Sequence, residues 1–280
     1  MKVKVLGTAA GSGVPGIFCS CDGCNKARVL KGKELRGRSQ FLVNDDVLVD
    51  FSNDTIRNSM IYGINMSKIK HLLITHYHTD HYDPTIFRYK NASQMDEPVL
   101  YVYSPPDVEE MYNNCDVIKP KTREYIQFVK TTEYNPIEAP PYKIHPMFAP
   151  HFHKGEKTSG KKFYIYVLEK DGKRVLFGMD SYYFTDEIFD YLKGMKLDLI
   201  FLDCTHGLRV REFEGTHAHM CFNENLMIKE RFLQNGTADS KTIFVSTHFS
   251  DRYAGQHEEM NAEMEKHGFF AAYDGMDFEI

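Results

Sequence analysis

The alternation of apolar and polar positions along the chain predicts short β-strands separated by amphipathic helices. The predicted strands are 3–6, 41–43, 47–50, 71–75, 99–103, 125–130, 143–148, 162–169, 173–178, 198–203 and 242–246. The predicted helices are 54–63, 105–114, 185–193, 222–234 and 254–267. Because no repeat, heptad or linker divides the 280 residues, we expect one α/β domain over residues 1–280, with strands of mixed direction.

Three short polar stretches are typical of the tight turns that join hairpin strands. They are Asn44-Asp45-Asp46, Asp171-Gly172 and Asp274-Gly275, and Asn, Asp and Gly are the residues that such turns favour. Residues 7–38 hold a cluster of cysteines and the basic stretch KGKELRGR, and there we expect a surface loop.

The composition, with 42% hydrophobic and 26% charged residues, is that of an ordinary soluble protein. A net charge of −5 disfavours a nucleic-acid partner, because proteins that bind nucleic acids usually carry a basic excess. No apolar run approaches the ~18 residues of a membrane span, and the N-terminus lacks the continuous apolar segment of a signal peptide. We therefore expect a cytoplasmic protein without a membrane partner.

The histidine-rich motif THYHTDHYD, residues 75–83, follows the predicted strand 71–75. It holds three histidines and an aspartate within six positions, namely His76, His78, Asp80 and His81. Imidazole and carboxylate are ligands that zinc and neighbouring divalent cations prefer. Alternate residues of an extended segment point the same way, so His76 and His78 can hold one ion. Asp80 and His81, past a turn, can face a second ion nearby.

Further ligands must come from elsewhere, because one loop cannot complete two metal shells. His151, Asp180 and His248 each follow a predicted apolar strand, at positions where loops commonly carry function. Taken singly, each is more typical of a turn or cap residue than of a ligand. With the first motif they make a set of seven, which suits two ions that share a bridging carboxylate.

These residues together resemble those of the metallo-β-lactamase-fold hydrolase superfamily, whose HxHxDH signature matches His76, His78, Asp80 and His81. The resemblance covers nearly the whole chain and implies a four-layer αββα sandwich with a dinuclear metal site at one edge. It also implies how the ligands divide: His76, His78 and His151 on the first ion, Asp80, His81 and His248 on the second, and Asp180 as the bridge. His153 competes with His151, since APHFH contains both.

Three further stretches resemble those of one branch within the superfamily: LGTAAGSGVPG, the CxCxxC spacing, and the ending AAYDGMDFEI. They are similar to the branch that contains the phosphoribosyl cyclic phosphodiesterase of phosphonate breakdown. That branch implies a small, cyclic phosphodiester as substrate, a homodimer, and two divalent ions (zinc or manganese) whose shared water attacks phosphorus as hydroxide. Asp80 would orient the hydroxide. His219, in GTHAHMC, would protonate the leaving alkoxide, with His217 as the neighbouring alternative.

Two other functions are compatible with the same ligands. Hydroxide attacks a carbonyl carbon as readily as phosphorus, so a lactone or thioester hydrolase of the same fold is one alternative. A non-catalytic, metal-binding accessory protein is the other, although a complete set of ligands argues against an inactive site.

The stretch FCSCDGCN raises a separate question, because its cysteines, Cys19, Cys21 and Cys24, suit a structural zinc. In a reducing compartment, clustered cysteines bind metal or react more often than they form disulfides. In the resembled branch the fourth ligand is a histidine three positions after the last catalytic histidine. Here that position is Asp251, a rare partner for three thiolates. The alternatives are zinc on three thiolates and Asp251, a ligand from elsewhere such as His257, and reduced thiols without metal.

Overall fold

Two β-sheets stacked face to face form the centre of the computed structural model, which describes residues 1–91, 99–151, 161–209, 218–253 and 255–280. Along these residues the strands are β1 (Lys2–Gly7), β2 (Gln40–Val43), β3 (Val47–Val49), β4 (His71–Leu73), β5 (Leu100–Tyr103), β6 (Ile126–Val129), β7 (Ile137–Ala139), β8 (Tyr142–Phe148), β9 (Tyr164–Lys170), β10 (Lys173–Gly178), β11 (Leu199–Asp203), β12 (Ile243–Thr247), β13 (Phe270–Ala271) and β14 (Asp277–Glu279). The α-helices there are α1 (Asp22–Leu30), α2 (Asp54–Ile61), α3 (Pro106–Asn113), α4 (Pro120–Arg123), α5 (Asp186–Leu192), α6 (Phe222–Gln234) and α7 (His257–Glu265).

Each sheet mixes parallel and antiparallel neighbours. Over the described ranges the first sheet has seven strands in the order β14-β1-β2-β3-β4-β5-β6, and the second has seven in the order β13-β12-β11-β10-β9-β8-β7. Strands β3 to β6 are parallel to one another, and so are β10 to β13. Parallel strands end at the same edge of a sheet, so the loops that follow them collect there.

The alternation of side chains along the strands divides the interior into apolar layers. Val47 and Val49 of β3 point between the sheets, and Leu48 points to the opposite face. Between the sheets, the rings of Phe41 and Phe201 have centroids 4.6 Å apart. This central layer joins the two sheets because each contributes one apolar face to it.

Helices cover the outer face of each sheet. On the first sheet, Val108 and Tyr112 of α3 are buried. On the second, the rings of Phe189 in α5 and Phe232 in α6 have centroids 5.4 Å apart. The succession helix, sheet, sheet, helix confirms the predicted α/β class and the four-layer αββα sandwich. In the parts of the chain described, no helix has the length and apolarity needed to cross a bilayer.

The predicted strands and helices all have counterparts, but one predicted hairpin is wrong. The turns at Asn44-Asp45-Asp46 and Asp171-Gly172 join antiparallel neighbours, as expected. The turn at Asp274-Gly275 instead leads from β13 of the second sheet to β14 of the first. Turn residues dictate a local change of direction, whereas the strand that pairs with β14 is decided by the open edge of β1.

The expected surface loop over residues 7–38 is also wrong in part, because it contains helix α1. This helix buries Cys24 and Ala27 and exposes most of its other residues. The apolar residues Val29 and Leu30 of this helix are exposed, so its burial does not follow its apolar positions. Arg36, from the basic stretch, is 3% exposed rather than solvated.

Candidate metal centre

The loops after the strands bring the predicted ligands to one edge of the two sheets. The loop 75–83 follows β4, and Asp180 lies two residues after β10. His151 and His248 follow β8 and β12. Most of these side chains are buried, and Asp180 is only 3% exposed. Burying polar groups costs free energy unless they are paired or hold a cation, so this concentration indicates a site.

One group of ligand atoms forms around His76. Its Nε2 lies 3.0 Å from both His78 Nδ1 and Asp180 Oδ2. His151, the third histidine predicted for this ion, stands beside the group with its Nδ1 3.2 Å from Asp180 Oδ1. Burial lowers the pKa of His76 well below its ordinary value, so the ring is neutral, as a metal ligand must be. His153, the predicted competitor of His151, lies outside the described residues.

A second group forms around His81. Its Nε2 lies 3.1 Å from Asp180 Oδ2, 3.4 Å from Asp80 Oδ2 and 3.3 Å from His248 Nε2. The ligand atoms of these four residues all lie within 4.8 Å of one another. The structure therefore brings together the three side chains predicted for the second ion, next to the predicted bridge.

Asp180 belongs to both groups. Its Oδ2 contacts His76 and His81, and its Oδ1 lies 3.2 Å from His151 Nδ1 and 3.1 Å from His219 Nδ1. Burial by itself raises the pKa of this carboxyl, but the surrounding histidines hold the pKa well below its ordinary range. The side chain is thus an anion between two sets of imidazoles, which is the position of a bridging ligand.

The spacing of these atoms fits a divalent cation. Two ligands about 2.1 Å from a tetrahedral ion stand roughly 3.4 Å apart. The Nε2 atoms of His76 and His81 lie 3.0–3.4 Å from the neighbouring ligand atoms. Asp180 Oδ1 is buried and accepts no well-aligned hydrogen bond from the described residues. Buried polar atoms are normally paired, and a bound cation would supply the missing partner. Imidazole and carboxylate donors suit zinc and manganese.

Asp50 is a site residue that the sequence prediction misses. It follows β3, and its Oδ2 lies 2.7 Å from His81 Nδ1. Its Oδ1 accepts hydrogen bonds of 2.9 Å from the backbone N–H and the hydroxyl of Thr75. Burial lowers the pKa of His81, but the charges of Asp50 and Asp80 outweigh it and hold that pKa well above its ordinary value. The contact at Nδ1 leaves Nε2 to face the ligand group.

Asp203 is a second residue missed by the prediction. It ends β11, is fully buried, and places its Oδ2 3.1 Å from both His219 Nδ1 and His248 Nδ1. The hydroxyl of Thr205 donates a 3.0 Å hydrogen bond to the same oxygen. A signal for both aspartates was present in the sequence, since VLVD and LIFLD each end a buried strand with a carboxylate at the edge where the ligands collect.

His219, the predicted proton donor, borders the centre, with its side chain 21% exposed. Burial lowers its pKa, but the carboxylates of Asp203 and Asp180 raise that pKa to about 9. One of its ring nitrogens also lies within 4.8 Å of ligand atoms of Asp180, Asp203 and His248, so the geometry suits a ligand as well as a proton donor. His217, the predicted alternative, lies outside the described residues.

An aromatic ring and the glycine-rich N-terminal segment border the centre. The ring of Phe163 lies 5.0 Å from that of His76 and 4.8 Å from that of His151. Gly11 packs against the predicted catalytic carboxylate, because a Cβ at this position would lie 3.3 Å from Asp80 Oδ2. A larger side chain at residue 11 would therefore press on Asp80.

The three clustered cysteines converge. The Sγ atoms of Cys19, Cys21 and Cys24 lie within 4.8 Å of one another, and all three are free thiols. Burial raises the pKa of Cys24 to about 12. A hydrogen bond from the backbone of Cys24 lowers the pKa of Cys21. The arrangement suits a soft cation held by thiolates.

The predicted fourth ligand, Asp251, adjoins this cluster through its backbone. Its carbonyl oxygen lies 3.9 Å from Cys24 Sγ, and its carboxylate accepts a 3.1 Å hydrogen bond from the Ser12 hydroxyl. The alternative ligand, His257, has its Nδ1 3.2 Å from Arg36 Nη2. The backbone of Asp251 therefore lies beside Cys24, but its carboxylate is not among the ligand atoms that group with the three sulfurs in the described residues. His257 is engaged by a buried arginine.

Known proteins resemble this chain in sequence and in fold. The family described as "Beta-lactamase superfamily domain" matches residues 46–232. Ribonuclease Z of Pyrococcus abyssi (strain GE5 / Orsay) is 34% identical over 70 residues, which are 24% of this chain, and the chain spans only 22% of that relative's length. The Zn²⁺-bound PqqB from Methylobacterium extorquens has a TM-score of 0.75 at 16% identity, covering 100% of both chains. A diphosphatase from the PhnP family has a TM-score of 0.74 at 22% identity, covering 100% of this chain and 96% of the other. At these identities the structural likeness concerns the fold.

Proposed function

The chain belongs to the beta-lactamase superfamily, and on that premise we propose that it is a phosphodiesterase that uses two divalent cations, zinc or manganese, to hydrolyse a small phosphodiester, cyclic diesters included. The observation that carries the proposal is the position of Asp180, shared by two groups of ligand atoms and in contact with His219. A shared carboxylate suits a cation pair, and a histidine beside the pair suits an ester whose leaving oxygen needs a proton.

Two divalent cations, when bound, supply Lewis acidity toward a phosphoryl oxygen and lower the pKa of water. The residues that would hold them are His76, His78 and His151 for one, Asp80, His81 and His248 for the other, and Asp180 for both. Asp50 and Asp203 would keep His81 and His248 in orientation through their Nδ1 atoms.

Asp80 is suited to orient the attacking water. Its side chain is 19% exposed, so substrate and water can reach it, whereas Asp180 beside it is almost fully buried. Burial raises the pKa of Asp80, but the nearby His81 holds that pKa well below its ordinary range, and the carboxylate stays an acceptor. It can therefore accept a hydrogen bond from water and direct the oxygen toward phosphorus.

His219 is suited to protonate the leaving oxygen. Its Nδ1 contacts the carboxylates of Asp203 and Asp180, so Nε2 is the atom we assign to proton donation. A positioned acid of this kind contributes about 10²–10⁴-fold to the rate. Asp203 acts through His219, since it fixes the ring and stabilises the protonated form.

A phosphodiester is favoured over the thioester alternative by the same contact. A thiolate leaves a thioester without a proton, whereas an alkoxide leaving phosphorus requires one. The similar proteins named as a ribonuclease and a diphosphatase also support a phosphate ester.

The test is a substrate screen with purified protein loaded with zinc or manganese. The substrates are bis(p-nitrophenyl) phosphate, 2′,3′- and 1,2-cyclic phosphates, lactones and thioesters, with metal content measured on the same sample. We expect about two metal ions per active centre and activity on the phosphodiesters. Activity confined to lactones or thioesters would overturn the phosphodiesterase, and no activity on any of the substrates would favour the accessory protein.

A further inference from the structure

A cavity of about 360 Å³ lies between the first sheet and the elements that cover its outer face. Its floor consists of leucines from three neighbouring strands, Leu48, Leu72 and Leu100. Ile56 of α2 lines one wall, and Phe87 lines another. The cavity is separate from the metal centre, since none of the predicted metal ligands lines it.

The lining is mostly apolar, and its polar side chains are two hydroxyl residues of α2, a tyrosine and a lysine. Thr55 and Ser59 of α2 contribute hydroxyls, and Thr55 already accepts a hydrogen bond from Gln40. The cation among the lining residues is Lys90, which is half-buried. Burial lowers the pKa of its ammonium. Tyr89 beside it is 61% exposed and Ile56 is 43% exposed, so solvent reaches the lining at both residues.

We propose that this cavity binds a small amphiphilic carboxylic acid, with its alkyl chain against the leucines and its carboxylate against Lys90. A methylene is close in size to a water molecule, whose share of liquid volume is about 30 Å³, so the cavity admits roughly ten such groups. Cavities of about 300–1,000 Å³ with apolar walls and few polar groups are typical ligand sites. A partly desolvated ammonium favours an anion over a neutral head group.

The cavity also lies directly behind the loop of the predicted metal ligands. Phe51 lines it, and the centroid of its ring lies 4.9 Å from that of Phe87, with the two rings tilted. The backbone N–H of Phe51 donates to the carbonyl of His81, 2.7 Å, and its carbonyl accepts from the N–H of Asp83, 2.8 Å. An occupant that packs against Phe51 should therefore slow hydrogen exchange of the Phe51 and Asp83 amides.

The first test measures binding of decanoate and of decanol to the purified full chain by isothermal titration calorimetry, below micelle-forming concentrations. We expect one decanoate per chain, bound more tightly than decanol. Lys90→Gln should weaken decanoate about tenfold and leave decanol unchanged. Lys68→Gln, at an exposed lysine that does not line the cavity, is the matched control and should change neither. Equal affinity for the acid and the alcohol, or no binding at millimolar decanoate, would overturn the proposal.

The second test fills the cavity. Ile56→Trp places a larger side chain in the wall, and Met60→Trp places it on the same helix at a residue that is 72% exposed and does not line the cavity. We expect Ile56→Trp to reduce decanoate affinity more than tenfold and to abolish the exchange protection at Phe51 and Asp83. Met60→Trp should preserve both. If the two variants behave alike while keeping the same melting temperature, decanoate binds elsewhere and the proposal fails.

Discussion

Asp50 Oδ2 lies 2.7 Å from His81 Nδ1, and neither side chain is exposed to solvent. The contact ties the end of β3 to the loop of predicted metal ligands. The other oxygen of the carboxylate holds Thr75, at the start of that loop. A histidine held in this manner has one ring orientation and one tautomer. The order of the metal centre thus depends on a residue that contacts a ligand rather than the cation.

Replacement of Asp50 by asparagine should weaken metal binding about 10–100-fold. The amide can still accept from Thr75, but its NH₂ group can only donate to His81 Nδ1, which forces the proton onto the nitrogen that must face the cation. Competition with a chromophoric chelator measures the affinity. Asp45→Asn, in the exposed turn before β3, is the matched control and should leave affinity unchanged. Equal affinities for the two variants would contradict the role of Asp50.

Replacement of His219 by alanine should separate substrates by their leaving groups. We expect kcat/KM for an alkyl phosphodiester to fall about 10²–10⁴-fold, and that for bis(p-nitrophenyl) phosphate to change little, because nitrophenolate leaves without a proton. Steady-state kinetics on metal-replete protein checks this. His267→Ala, at a histidine whose side chain is 45% exposed, serves as the control. Equal losses on both substrates, with a lower metal content, would instead identify His219 as a ligand.

The cysteine cluster should hold one zinc ion per chain in addition to the ions of the active centre. Cys19→Ser should remove that ion, and Cys115→Ser, at a half-buried cysteine that is not in the cluster, should retain it. Elemental analysis after dialysis gives the stoichiometry. Asp251→Ala should weaken retention and His257→Gln should not, since His257 is engaged by Arg36. If the zinc content of Cys19→Ser equals that of the parent chain, the cluster consists of reduced thiols without zinc.

Arg36 sits between the buried His257 and the half-buried Asp274, two groups with opposite responses to pH. Its Nη2 lies 3.2 Å from His257 Nδ1, and its Nη1 lies 3.0 Å from the Thr8 hydroxyl, which donates in turn to Asp274, 2.7 Å. Burial raises the pKa of Asp274 to about 6. Burial and the charge of Arg36 lower the pKa of His257 to about 4. Between pH 4 and 6 the folded state thus holds an extra proton at Asp274 and lacks one at His257.

The two groups should therefore oppose each other in the free energy of unfolding. As pH rises from 4 to 6, Asp274 lowers that free energy, because the folded state binds more protons there, and His257 raises it, because the unfolded state does. Relative to the parent chain, the free energy of unfolding of Asp274→Asn should rise by up to about 3 kcal/mol as pH increases from 4 to 6. Relative to the parent chain, that of His257→Gln should fall over the same interval. Urea unfolding at several pH values measures the difference. For Asp171→Asn, in an exposed turn, the difference from the parent in free energy of unfolding should not change with pH. The same pH-independent difference for Asp274→Asn would contradict the raised pKa.

The sequence by itself determines most of the strands and helices and most of the ligand set, because both are local patterns. A buried strand such as 71–75 shows as a short apolar run. Its ligands follow at consecutive positions, and imidazole and carboxylate side chains indicate a cation wherever they lie. Asp180 and His248 can be predicted for the same reason, since each follows such a run.

Only the tertiary structure decides which strand ends meet and what stands behind each ligand. His81 and Asp50 are separated by 31 positions, and they touch because β3 and β4 are parallel neighbours. Likewise β14 follows a turn that suits a hairpin, yet it pairs with β1, across almost the whole length of the chain. These contacts depend on sheet edges and packed layers, whose free energy comes from residues far apart in sequence. A local sequence pattern therefore does not predict these contacts.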